Sequence, residues 1–151
     1  MEVDGDWLEL LELFRSHRVE FVVVGAYALA LHGHPRNTGD IDLLVHPTEE
    51  NGRRVMAALT EFGFGAVGLT VSDFCHPDQV VQLGHYPMRI DILTSITGVA
   101  WEEAWQGSEV GRLGSEPVRF LGREQYMANK RATGRLQDLV DLETMESDGD
   151  G

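Results

Sequence analysis

The sequence has few cations, one cysteine and no long apolar run. Its 151 residues include 12 Lys and Arg against 25 Asp and Glu, a formal net charge of −13. This charge argues against binding through many nucleic-acid phosphates, so we expect no stable non-specific DNA binding. It also argues against attachment to an anionic membrane surface. Because no apolar run approaches the ~18–20 residues that span a bilayer, we expect no membrane partner.

The scarcity of cysteine bears on compartment and chemistry. Cys75 is the single cysteine, so the chain cannot form an internal disulfide, and a cysteine-rich zinc module is excluded. The first residues, Met1 to Asp6, are acidic, whereas a signal peptide begins with basic and then apolar residues. We therefore expect a cytoplasmic protein.

Hydrophobic periodicity predicts alternating helices and strands within one domain. The predicted domain covers residues 1–146, and an acidic flexible tail follows at residues 147–151. We predict helices at 6–17, 26–32, 48–62, 99–106, 123–133 and 134–146, and strands at 20–25, 40–45, 79–83, 88–93, 110–113 and 118–121. This order predicts an α/β (α+β) architecture, in which helices flank a short mixed β-sheet.

Three aspartates lie in strands that are otherwise apolar. Asp40 and Asp42 share one face of their strand, and Asp91 stands between two isoleucines of another. If the two strands are neighbours, the three carboxylates converge and favour a shared hard cation such as Mg²⁺. The alternative is that these acids form the solvent side of amphipathic strands, although Asp is disfavoured in strands.

The segment from Val22 to Ala26 reads as a strand that passes through Gly25 into a helix. Such a turn lets the backbone approach a phosphate, and the helix start supplies free N–H groups. Many α/β proteins have this turn for packing alone. The short spacing from Gly25 to Asp40 strengthens the functional interpretation.

The cations are few enough to consider singly. Lys130 is the only lysine, and it is either a point charge for a triphosphate or a consequence of base composition. Arg36 precedes Asp40 in a loop and could reach a phosphate or pair with surface acids. Asp138 and Asp141 share a helix face, and we predict an ion-pair network with Lys130 and Arg135 that holds the last helices. Lys130 and Arg135 could also belong to a local basic patch. Its other members would be Arg112, Arg119, Arg123 and Arg131.

Taken together, these motifs resemble the nucleotidyltransferase superfamily that includes DNA polymerase beta. The resemblance is carried by Gly25-Ala26, by Asp40-Ile41-Asp42 and by the distant Asp91. Residues 32–43 (HGHPRNTGDIDL), 82–84 (QLG), 89–93 (RIDIL) and 129–142 (NKRATGRLQDLVDL) are more similar to small bacterial nucleotidyltransferases of the abortive-infection, type IV toxin kind. The similarity spans residues 21–143.

The resemblance implies a nucleotidyltransferase fold and a metal-dependent transfer from a nucleoside triphosphate to an acceptor hydroxyl, with pyrophosphate release. It implies that Asp40, Asp42 and Asp91 are catalytic and bind Mg²⁺ or Mn²⁺, and that Asp91 helps to deprotonate the acceptor. The implied nucleotide-binding residues are Gly25, Ala26, Arg36, Thr38 and Lys130.

The implied partners are an acceptor of unknown identity, protein or RNA, and an antitoxin or a second copy of the chain. Ala26 departs from the family pattern, which often has a serine that contacts the phosphates. This departure favours an alternative, a catalytically idle nucleotide-binding or partner-binding module. A metal-dependent phosphohydrolase that uses the same acids is a third possibility.

Overall fold

A computed structural model describes residues 5–33, 40–65, 68–85 and 88–149. Its helices are Gly5–Ser16 (α1), Gly25–Leu31 (α2), Glu49–Leu59 (α3), Trp101–Gln106 (α4), Arg123–Thr133 (α5) and Leu136–Gly149 (α6). Its strands are Phe21–Val24 (β1), Asp40–Val45 (β2), Val80–His85 (β3), Met88–Leu93 (β4), Glu109–Leu113 (β5) and Glu116–Phe120 (β6). In this part of the chain no helix is long and apolar enough to cross a membrane.

The described strands form one mixed sheet in the order β3-β4-β2-β1-β6-β5. The pairs β2/β4 and β1/β6 are parallel, whereas β1/β2, β3/β4 and β5/β6 are antiparallel. The predicted mixed sheet is thereby confirmed. The condition under which the three aspartates converge is met, because β2 and β4 are neighbours.

Strand alternation divides the core into two layers. Val23, Ile41 and Ile92 pack on one face of the sheet with α1 and α3. The opposite face carries Val22 and Leu44, which pack with residues of α2, α4, α5 and α6. Asp40 and Asp42 alternate with Ile41, so their side chains lie on this second face.

Helix α3 shows how local sequence sets an element's limits. The Thr48 hydroxyl accepts a hydrogen bond of 3.1 Å from the Asn51 N–H and thereby caps the helix. The predicted end at residue 62 is wrong, since α3 ends at Leu59 and a wider π-helical turn follows at Thr60–Phe64. In that turn Gly63 has φ 117°, a backbone angle incompatible with a continuing α-helix.

Two further helix starts and one helix end differ from prediction by two or three residues, and the remaining helix limits differ by one residue at most. Gly134 has φ 65° and caps the end of α5, so α6 begins at Leu136 rather than at residue 134, and it extends to Gly149. Before α4, a bridge between Ile96 and Val99 closes a turn at Gly98, and the helix therefore begins only at Trp101.

Candidate active site

Register between the parallel strands β2 and β4 brings the three predicted aspartates together. Asp42 lies directly opposite Asp91, and Asp40 lies opposite Arg89. The carboxyl groups of Asp42 and Asp91 share a hydrogen bond. The Asp91 side chain is only 12% exposed, whereas that of Asp40 is 40% exposed. The cluster thus reaches from solvent into the sheet.

The neighbouring charges change the titration of Asp42. Burial raises its pKa to about 7, and the charge of Asp91, the hydrogen bond with Asp91 and the charge of Asp40 act in the same direction. The Lys130 ammonium opposes this shift. Without a cation, two carboxylates this close share one proton. A bound metal ion would take the place of that proton.

Arg89 is the site residue that sequence reasoning missed. Its Nη2 lies 3.1 Å from Asp40 Oδ2, and its Nε lies 3.2 Å from Asp91 Oδ1. The guanidinium therefore bridges two of the three acids. The spacing indicates this proximity in part, since Arg89 is two positions before Asp91 and so shares its face of β4.

The donor set suits a hard divalent cation, which prefers carboxylate oxygens. Asp91 Oδ1 is buried, and from the described residues it receives no hydrogen bond of good geometry, despite the nearby Arg89 Nε. That oxygen thus has capacity for a further cationic partner. The described side chains do not form a group of three metal ligands.

Gly25 links the carboxylates to the start of α2. Its φ of 70° lies in the left-handed region that favours glycine. A Cβ atom at this position would overlap Asp42 Oδ2. Only glycine therefore allows the backbone to lie against the Asp42 carboxylate, and Ala26 is the next residue of α2.

A cavity of about 260 Å³ opens beside Asp42 and Gly25. From α5 and the turn after it, Lys130, Thr133 and Arg135 line the cavity. The Lys130 side chain is 12% exposed, and its charge stabilises the Asp42 carboxylate. The structure thus brings Gly25, Asp42 and Lys130 to one cavity. Arg36 and Thr38 lie outside the described residues.

The predicted ion-pair network is present at Asp138. This nearly buried carboxylate accepts hydrogen bonds from Lys130 Nζ at 3.1 Å, Thr133 Oγ1 at 2.6 Å and Arg135 Nε at 2.7 Å. Burial raises the pKa of Asp138, but these three hydrogen bonds and the Lys130 charge hold it below its ordinary value. Asp138 thereby fixes Lys130 at the cavity and joins α5 to α6.

Asp141 also helps to hold the last two helices together, as predicted. It accepts hydrogen bonds from Tyr126 Oη at 3.4 Å and Gln137 Nε2 at 2.8 Å. Since Tyr126 belongs to α5, the Asp141 carboxylate connects the last two helices.

No family model matches the chain, and no curated protein matches it. Solved structures do resemble it. The Thermotoga maritima protein TM1012, a proposed nucleotidyltransferase, has a TM-score of 0.58 at 16% identity, over 97% of this chain and 96% of its own. ANT(2″)-Ia, in complex with adenylyl-2″-tobramycin, has a TM-score of 0.57 at 15% identity, over 94% and 86%.

A third similar structure is the lincosamide antibiotic adenylyltransferase LnuA, with a TM-score of 0.50 at 11% identity, over 96% of this chain and 98% of its own. These likenesses show the fold. The described residues have the mixed α/β nucleotidyltransferase fold, as the sequence resemblance implies. The similarity to the toxin-like branch stays a prediction.

Proposed function

We propose that this chain is a metal-dependent nucleotidyltransferase that moves a nucleoside monophosphate from a triphosphate to an acceptor hydroxyl and releases pyrophosphate. One domain, residues 1–146, would carry this activity. The observation that supports the proposal most strongly is the pairing of Asp42 with Asp91 at the cavity that Lys130 lines. The nucleotidyltransferase fold supports it independently.

The carboxylates of Asp40, Asp42 and Asp91 would hold Mg²⁺ or Mn²⁺. When bound, such cations supply charge stabilisation for the attacking and leaving oxygens of a phosphoryl transfer. The carboxylates themselves are fixed by β2 and β4, so their spacing is set by sheet register. Asp91, the most buried of the three, would accept the proton of the acceptor hydroxyl.

The nucleotide's phosphates would lie between Gly25 and Lys130. Lys130 supplies a point charge that Asp138 already holds at the cavity wall. Gly25 and Ala26 would contribute backbone N–H groups, because Gly25 lets the backbone reach the Asp42 carboxylate. Arg36 and Thr38 precede Asp40 in sequence, and we propose from the family resemblance that they contact the same nucleotide.

The size of the chain bears on the acceptor. ANT(2″)-Ia and LnuA are described with adenylyl-tobramycin and lincomycin, and this chain covers most of the length of both. This supports a small-molecule acceptor beside the protein or RNA acceptor that the sequence resemblance implies. A toxin-like role, with an antitoxin partner or as a homodimer, is supported by that sequence resemblance alone.

Two observations favour the alternative of an idle nucleotide-binding module. Ala26 lacks the hydroxyl of many relatives, and Arg89 neutralises Asp40 and Asp91 where a cation would lie. An idle module would bind triphosphate with no release of pyrophosphate. Pyrophosphate release therefore separates the two functions.

The test is incubation of the protein with each of the four α-³²P-labelled triphosphates, Mg²⁺ and fractionated cell extract. We expect label in one small-molecule, RNA or protein fraction, together with pyrophosphate. Removal of the metal with EDTA should abolish both. Binding of triphosphate without pyrophosphate would support the idle module, and release of inorganic phosphate or a free mononucleotide would support the phosphohydrolase.

A further inference from the structure

A second cavity lies at the opposite end of β1 from the candidate active site. Its volume is about 320 Å³, and it lies between the end of α1, the start of β1, α4 and the β5/β6 hairpin. Phe21 at the start of β1 borders this cavity, whereas Val24 at the end of β1 borders the first one. The two cavities have no described lining residue in common, so the second is a separate site.

The second cavity has an apolar floor and an aromatic wall. Val19, Phe21 and Val118 are buried beneath it. The Trp105 indole forms one side, where its ring stacks on Trp101 at 5.4 Å between centroids and on the Arg119 guanidinium, 4.5 Å from its centroid. Such a lining suits a flat apolar group.

The rim of this cavity is cationic in a chain whose net charge is −13. Arg15, Arg18 and Arg119 line it with a single acid, Glu20. Arg15 Nε pairs with Glu116 Oε1 at 2.7 Å, and Arg119 Nη1 donates to Ser108 Oγ. Within the described part of the chain, the Arg18 guanidinium has no ion pair. The rim therefore attracts an anion and holds an uncommitted guanidinium for it.

Arg18 also has an unfavourable backbone conformation. Its φ is 59°, and it follows the end of α1, where Arg18 N donates to Arg15 O and Val19 N donates to Phe14 O. This Schellman arrangement usually has glycine at the left-handed position. A cation near a helix C-terminus is favourable, but Arg15 already supplies one. Strain at a position that borders a cavity indicates a functional use of the side chain.

We propose that the second cavity binds a small anion with a flat apolar body, of the aromatic carboxylate or aromatic phosphate class. The ring lies over Phe21 and Val118 beside the Arg119 guanidinium, and the anionic group lies between Arg18 and Arg119. The volume, near the lower end of the ~300–1,000 Å³ found for ligand pockets, fits a small molecule. This binding site does not depend on the proposed transferase activity.

The test is an NMR titration of the ¹⁵N-labelled protein with phenyl phosphate, benzoate and the neutral analogue benzyl alcohol. We expect both anions to shift the amide resonances of Val110 and Arg119, and the one that binds more tightly identifies the anionic group. Lys130→Ala should leave these shifts unchanged, because Lys130 borders the other cavity. Equal binding of benzyl alcohol, or shifts confined to residues around Gly25, would overturn the proposal.

Arg18→Gly separates binding from folding. Glycine accepts the left-handed conformation, so the urea midpoint of unfolding should not fall. Affinity for the anion should fall about tenfold or more, because a charge-assisted contact is lost. The matched control is Arg53→Gln, which removes an exposed arginine of α3 and should leave affinity unchanged. Unchanged affinity in Arg18→Gly, or an equal loss in Arg53→Gln, would contradict the site.

Discussion

Arg89 pairs with Asp40 across the parallel strands β2 and β4, with 3.1 Å between Nη2 and Oδ2. The same guanidinium reaches Asp91 through Nε at 3.2 Å. Arg89 thus neutralises two of the three proposed metal ligands. A divalent cation at this site must compete with the Arg89 guanidinium for the carboxylates, and this competition lowers the affinity for the metal.

Arg89→Gln should therefore strengthen Mn²⁺ binding. The pair is about one-third exposed, so we expect a gain of about 1 kcal/mol, or roughly fivefold in Kd. Metal-free stability should fall by a similar amount, because the carboxylates then repel one another without compensation. Isothermal titration calorimetry measures the first effect, and urea unfolding in EDTA measures the second. Arg53→Gln is the control, and unchanged Mn²⁺ affinity in Arg89→Gln would refute the competition.

The raised pKa of Asp42 predicts that the metal-free protein becomes less stable as pH rises. Its pKa is about 7 in the folded chain against about 3.9 in an unfolded one, so between these values the folded state holds the extra proton. The free energy of unfolding should fall as pH rises from about 4 to about 8, by on the order of 4 kcal/mol, and level off above. Asp42→Asn should remove this decline. Urea unfolding in EDTA across this range measures it, and parallel profiles for the two proteins would contradict the assignment.

Gly25→Ala should disturb both the backbone and the carboxylate cluster. The alanine must adopt a left-handed φ, and its Cβ overlaps Asp42 Oδ2. We therefore expect the free energy of unfolding to fall by about 1–3 kcal/mol and Mn²⁺ binding to weaken. Gly68→Ala is the matched control, because Gly68 has φ 82° and no described atom lies near its would-be Cβ. Gly68→Ala should lower the free energy of unfolding but leave Mn²⁺ affinity unchanged. Equal Mn²⁺ affinity in the two variants would show that Gly25 has no special relation to Asp42.

The phosphate contacts predict opposite effects for two substitutions. Ala26→Ser restores a hydroxyl and should strengthen binding of a non-hydrolysable triphosphate with Mg²⁺ by about 0.5–1.5 kcal/mol. Lys130→Ala should weaken it by more, since a charged contact is lost. Asp138 keeps Thr133 and Arg135 as donors, so the Lys130 variant should still fold. Calorimetry measures both, and unchanged affinity in both variants would place the triphosphate elsewhere.

Sequence patterns located the strands of the site well. Both β2 and β4 have their predicted limits, because apolar residues alternate with aspartates along both segments. That these two strands are neighbours is a condition of the prediction, since period-2 alternation says nothing about which strands pair. Structure supplies that register, and with it the contact between Asp42 and Asp91.

Other features depend on contacts that the sequence does not encode locally. Arg89 reads as an ordinary exposed cation until β4 lies beside β2, so its bridge to Asp40 could not be predicted from β4 alone. Gly134 is compatible with either the end of α5 or the start of α6, and only its left-handed backbone decides. The sequence predicts Lys130 as a phosphate contact but does not predict how it is held, which the structure shows to be an ion pair with Asp138.

Release of labelled pyrophosphate from γ-³²P-labelled triphosphate, in an extract that supplies the acceptor, is compared between wild type and Asp42→Asn. Asparagine keeps the volume of Asp42 but removes the charge that would hold a cation. We predict that wild type releases pyrophosphate only with Mg²⁺ or Mn²⁺, and that Asp42→Asn loses this activity by orders of magnitude while it remains folded by circular dichroism. Full activity in a folded Asp42→Asn protein would contradict the account.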